Sequence, residues 1–152
     1  MNKSNNSAVT QICYTQTMED ITNGTLISKA ASVINDRKID DFNHVGQVGA
    51  AILTATGNVY TGVCIDAGSG MGFCAEASAV AAMVTAGETK IEKIVATWKD
   101  RDTVYVVSPC GRCRQFIACI DAGNTDTEVI LSSTDSVPLK DLLPHPNEYN
   151  KM

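Results

Sequence analysis

Cys74-Ala75-Glu76, followed 36 residues after its cysteine by Pro109-Cys110-Gly111-Arg112-Cys113, brings three thiols and one carboxylate into play. Sulfur ligands in this number suit zinc. A structural zinc site closes with four protein ligands, whereas a catalytic one keeps three and leaves the fourth position to water or substrate. Cys74, Cys110 and Cys113, with no obvious fourth ligand, therefore favour a catalytic Zn²⁺. Glu76 stands two residues from a ligand, near the metal without binding it, where it can carry protons between an activated water and a substrate. Two blander readings compete: a thioredoxin-type Cys-x-x-Cys redox pair, and a zinc module that only supports assembly. The third cysteine beside a glutamate argues against the first, and the carboxylate itself against the second. His44 and His145, the only histidines, lie far from the motif and are expected to be solvated or packed side chains.

The surrounding residues show how these groups are positioned. Gly68-Ser69-Gly70-Met71-Gly72 reads as a turn, and the alanine-rich run from Cys74 to Ala86 reads as a helix with Cys74 in its first turn. Val104 to Val107 reads as a strand that Pro109 ends, and Cys110 to Ala122 as a second helix with Cys110 and Cys113 one turn apart on one face. Helix amino ends favour negative charge, so two of them facing each other should lower the thiol pKa values. Upstream, apolar residues from Leu26 to Ile34 recur at helical spacing ahead of a charged break at Asp36-Arg37-Lys38. Residues 48–53 and 59–65 read as a hairpin across Ala55-Thr56-Gly57-Asn58. A strand over 91–98, a charged loop over 99–102, a strand over 129–131 and a short helix over 139–143 complete a succession of strands and helices with a final helix. Such alternation implies an α/β fold with a central sheet and helices on both faces. Trp98 and Tyr105 are expected in the core.

The cysteine and glutamate pattern resembles that of the zinc-dependent cytidine deaminase family, in the branch of small cytidine and blasticidin S deaminases. Val48-Gly49-Ala50-Ala51, Ser108-Pro109-Cys110 and Leu142-Leu143-Pro144 extend the resemblance over roughly residues 25 to 145. It implies a three-layer α/β/α fold with a central mixed sheet, and hydrolytic deamination of a cytosine-type nucleoside or nucleoside analogue. Glu76 would then be the proton carrier, and Asp66, Ala75 and Ser108 would bind substrate. The resemblance also implies a homo-tetramer. Three departures matter. Cys64-Ile65-Asp66 stands where ordinary cytidine deaminases hold the ribose through an Asn-x-Glu segment. Gly46 replaces a phenylalanine that packs on the pyrimidine, leaving Phe42 or Phe73 to substitute. Ala77 follows the glutamate in place of an arginine, and Arg112, placed as in the Pro-Cys-Gly-Arg-Cys of blasticidin S deaminase, becomes the candidate for charge balance at the zinc. These features favour a blasticidin S deaminase-like enzyme, with pyrimidine salvage as the alternative.

The chain has 152 residues, which suits one deaminase domain over 1–152, with about twenty amino-terminal residues and the carboxyl tail unplaced. Twelve basic and 17 acidic residues give a net charge of −5, which repels phosphate backbones and argues against a nucleic-acid polymer as partner. No apolar run is long enough to cross a membrane, and MNKSNNSAVTQ lacks the apolar core of an export signal. Six cysteines without such a signal point to a reducing, cytoplasmic setting. Cys13 and Cys119 are expected as free thiols or small buried groups.

Overall fold

A computed structural model describes residues 21–147, so Cys13 lies outside the described residues. The chain opens with α1 (Asn23–Ser32), whose first turn is capped by the Thr22 hydroxyl accepting from the Thr25 amide at 3.2 Å. Strand β1 (Arg37–Lys38) then pairs with β2 (His44–Thr54), which turns into β3 (Val59–Asp66). A short 3₁₀ turn leads to α2 (Ala75–Thr85) and β4 (Ile91–Asp100). Next come β5 (Thr103–Val107), α3 (Gly111–Ile120), β6 (Glu128–Ile130), β7 (Ser136–Pro138) and α4 (Leu139–Leu142).

Strand β2 lies antiparallel to both β3 and β4, while β4 and β6 run parallel, so the sheet is mixed. Its two faces are covered separately. Ala51, Leu53, Val95 and Ile130 pack beneath Leu26 and Ala30 of α1. Ala50, Ile52, Ile94 and Val129 point the other way, onto Ala79, Val80 and Met83 of α2 and Ile117 of α3. Alternate residues of β2 thus feed two cores, which is why Ala50 to Leu53 is apolar without interruption. The expected three-layer α/β/α arrangement is the one observed.

Two contacts hold the layers in place. A side-chain carbon on Gly62 of β3 would fall 2.4 Å from the Ala79 amide nitrogen, so α2 lies directly on the strand. Ser78 of α2 donates to the Val63 carbonyl at 2.6 Å beside it. Asn124, fully buried, accepts from the Ile91 amide at 2.9 Å and donates to the Thr89 and Ile117 carbonyls, joining the end of α3 to the start of β4.

Three expectations change. The charged loop at 99–102 is the tip of a β4–β5 hairpin in which Asp100 pairs with Thr103. Trp98 and Tyr105 are register partners on that hairpin and stack with ring centroids 5.3 Å apart, but they are 42% and 47% exposed and not in the core. The cause is the place of β5, which pairs with β4 alone at this end of the sheet and so leaves the stacked rings partly open to solvent. The charged break at Asp36-Arg37-Lys38 likewise contributes the short strand β1.

Replacing Gly62 by Val should lower stability by about 1–3 kcal/mol, the usual cost of forcing atoms into a packed interface. Denaturant unfolding of the variant checks this. An unchanged midpoint would show that α2 does not depend on the bare strand.

Candidate active site

Cys74 is the N-cap of α2 and Cys110 the N-cap of α3, each with extended backbone leading into the helix. The approach to Cys74 is pinned by a reciprocal pair of bonds: Ile65 donates to the Phe73 carbonyl at 3.0 Å, and Phe73 to the Ile65 carbonyl at 2.8 Å. Cys113 follows one turn into α3 and is 1% exposed. Arg114 positions this second arm. Its Nε donates to the Pro109 carbonyl at 2.8 Å and its Nη1 to the Leu142 carbonyl at 3.1 Å, tying the loop before Cys110 to α4. Sequence reasoning missed Arg114, although an arginine directly after a ligand cysteine was visible in the chain.

The sulfurs of Cys74, Cys110 and Cys113 lie within 4.8 Å of one another, with Cys74 and Cys110 3.7 Å apart. Three soft donors converging from two helix starts fit Zn²⁺ with one position left over. His44 pairs with Asp36 at 2.5 Å, and neither it nor the exposed His145 joins this cluster.

The electrostatics correct one expectation. Helix ends alone do not lower all three thiols. Burial raises Cys74 and, more strongly, Cys113, which the Glu76 charge and the neighbouring sulfurs push further in the same direction. Burial also opposes ionisation of Cys110, but backbone N–H groups of Cys113 and Arg112 and the adjacent thiols outweigh it and lower its pKa. A divalent cation among the sulfurs favours the thiolate form of each.

Glu76 lies in the first turn of α2, 5% exposed. Burial raises its carboxyl above the ordinary value, against the opposing effects of its own backbone N–H and the Cys113 thiol. It lines a cavity of about 440 Å³ together with Asp66, Ala75, Ser108, Cys110 and Arg112. Cys74 borders the same space, so of the three clustered cysteines only the buried Cys113 does not. Arg112 is exposed and donates from Nη1 to the Gly72 carbonyl at 3.3 Å; it also borders a smaller cavity of about 230 Å³ with Cys113 and Phe116.

Phe73 borders the main cavity, whereas Phe42 is 79% exposed and does not. Gly46 has φ +79, and a side-chain carbon there would lie 2.7 Å from the Asn35 carbonyl oxygen, so no phenylalanine fits at that position. Gln47 and Cys64 also line the cavity. Gln47 escaped sequence reasoning because only the path of β2 reveals where it points.

The chain matches the cytidine and deoxycytidylate deaminase zinc-binding region over residues 23–127. It is 37% identical over 99 residues to a blasticidin-S deaminase of Bacillus cereus, covering 61% of this chain and 69% of that protein. It is 34% identical over 103 residues to a cytidine deaminase of Halalkalibacterium halodurans, covering 64% and 74%. Among solved structures, the cytidine deaminase of Mycobacterium tuberculosis superposes with a TM-score of 0.65 at 26% identity, over 83% of this chain and 97% of that one. The cytidine deaminase of Burkholderia pseudomallei gives 0.65 at 27% identity, over 83% and 99%. The chain belongs to the cytidine and deoxycytidylate deaminase family, whose matching region is a zinc-binding one.

Because the ligands also fix two helix starts, metal and stability should be coupled. Wild-type protein purified without chelator should carry one zinc per chain, and Cys110→Ser should lose both zinc and thermal stability. Elemental analysis and melting curves read both. A Cys110→Ser protein with full zinc content would remove this cysteine from the ligand set.

Proposed function

We propose that this member of the deaminase family hydrolyses the exocyclic amine of a cytosine-type nucleoside or nucleoside analogue, yielding the uracil-type product and ammonia. The observation that carries the reading is the buried Glu76 carboxyl beside three convergent thiols on the wall of a cavity of about 440 Å³. Cys74, Cys110 and Cys113 would hold Zn²⁺, which supplies a Lewis acid that makes water acidic near neutral pH. Glu76 takes one proton from the attacking water and passes it to the ring nitrogen, then takes the second from the hydroxyl now on the ring carbon and gives it to the amine, so that the C–N bond breaks, ammonia leaves and the oxygen stays as the carbonyl. A carboxyl raised by burial suits this exchange, because an acid-base group works best when its pKa approaches the working pH. Ala75 and Ser108 orient the ring, Asp66 serves the sugar, and Arg112 offsets the excess negative charge of three thiolates.

Pro109-Cys110-Gly111-Arg112-Cys113 and the likeness to a blasticidin-S deaminase support an enzyme of that kind. Deamination of cytidine itself is the second reading, supported by the similarity to solved cytidine deaminases over most of the chain. No helix among the described residues is long and apolar enough to cross a membrane. A cytoplasmic setting fits a site that needs three reduced cysteines. A homo-tetramer of single 152-residue domains fits the apolar outer face of α2, where Ala81, Ala82 and Val84 are exposed.

Glu76→Gln should retain zinc and fold but lose at least about 10²-fold in turnover of the best substrate, since Gln cannot accept the proton. Loss of the amino-substituted ring's ultraviolet absorbance, followed for cytidine, deoxycytidine and blasticidin S in parallel, measures this. Near-normal turnover by the variant would move the proton transfer elsewhere.

A further inference from the structure

The register of β2 against β3 breaks beside the cavity. Val45 pairs with Ile65 and Gly49 with Val63, so Gly46, Gln47 and Val48 stand opposite Cys64 alone. Bulges of this kind redirect a side chain and recur beside functional sites. Gly46 permits this one through its left-handed φ of +79, and the Asn35 amide, donating to the Gly46 carbonyl at 3.1 Å, anchors it. The Val48 amide meets the Cys64 sulfur at 3.3 Å, and Gln47 joins the cavity lining.

Among the described residues the carboxamide of Gln47 and the carboxylate of Asp66 have no hydrogen-bond or ion-pair partner, yet both border the same cavity as Glu76 and the cysteines. The amino-bearing carbon of a bound nucleoside must face the cysteines and Glu76, which directs the sugar to the remaining wall. There Cys64, buried and already engaged by the Val48 amide, offers little to a ligand. The two free polar side chains are complementary: a carboxylate only accepts, whereas an amide also donates.

We infer that Gln47, aimed by the bulge, is a specificity-determining residue that acts with Asp66 to hold a hydroxyl of the substrate's sugar. The inference rests on the deaminase reading above and selects within it the second one, a nucleoside such as cytidine whose sugar carries a free hydroxyl. The hydroxyl donates to Asp66 and accepts from Gln47 Nε2, so one group satisfies both. A carbonyl oxygen in its place would accept from Gln47 but face the Asp66 carboxylate without a proton to give.

The test compares cytidine with 2′,3′-dideoxycytidine in wild type, Gln47→Met, Asp66→Asn and the double variant. Wild type should prefer cytidine in kcat/KM by at least about 10-fold, the weight of a well-made hydrogen bond. Gln47→Met, which keeps the length but not the amide, should reduce the preference to within about 3-fold, acting mainly through KM with kcat little changed. The double variant should lose less than the sum of the two singles, since they share one ligand group. Calorimetric binding of uridine and 2′,3′-dideoxyuridine gives the same comparison without turnover. A wild type that treats the paired compounds alike overturns the inference, as does a Gln47→Met protein that weakens both members of each pair equally. Selective binding of uridine without deamination of any cytosine nucleoside would instead sink the deaminase reading and leave the sugar contact standing.

Discussion

Three thiols and a carboxylate share one corner in which Cys113 and Glu76 are buried, Cys74 is half-buried and Cys110 is exposed, and the rest of the site follows from that crowding. Taken alone the groups oppose one another: burial and the Glu76 charge push the Cys113 thiol well up, whereas backbone N–H groups and neighbouring thiols bring Cys110 below its ordinary value. A divalent cation reverses the balance, turning mutual repulsion into shared attraction. The same burial that resists thiolates raises the Glu76 carboxyl above its ordinary value.

Holding that corner together falls to backbone features more than to the ligands. Gly62 lets α2 lie on β3, and the Ile65–Phe73 pairing directs the chain into Cys74. Pro109 and the two bonds of Arg114 set the start of α3 against α4. The two helix starts meet because the sheet beneath them runs β3, β2, β4 without a gap, and Asn124 fixes how α3 returns to it. A shift of either helix by a fraction of an ångström would change the sulfur triangle, so the packing layer and the chemistry cannot be separated.

Much of this was legible in the chain. The clustering of the three cysteines, the place of Glu76 beside them, both helix starts and the layered α/β order could be read because they rest on local spacing and periodicity. What escaped depends on long-range geometry. Trp98 and Tyr105 look like core residues by type, yet the β4–β5 hairpin leaves their stacked rings partly open to solvent. Gln47 is an unremarkable polar residue until the register break aims it at the cavity. Arg114 gains its meaning only from carbonyls at Pro109 and Leu142, the latter 28 residues away. The thiol acidities also went beyond sequence, since burial outweighs the helix ends at two of the three cysteines.

The proposed ligation of zinc by Cys74, Cys110 and Cys113 leaves one position for chemistry. X-ray absorption at the zinc edge of the freshly purified protein tests it most directly, because sulfur and oxygen scatterers lie at distinct distances, about 2.3 Å and about 2.0–2.2 Å. The account predicts three sulfur neighbours and one lighter one, with the lighter neighbour changing when a cytosine nucleoside analogue that resists deamination is added. A shell of four sulfurs, unmoved by any such ligand, would contradict it and make the site a structural one.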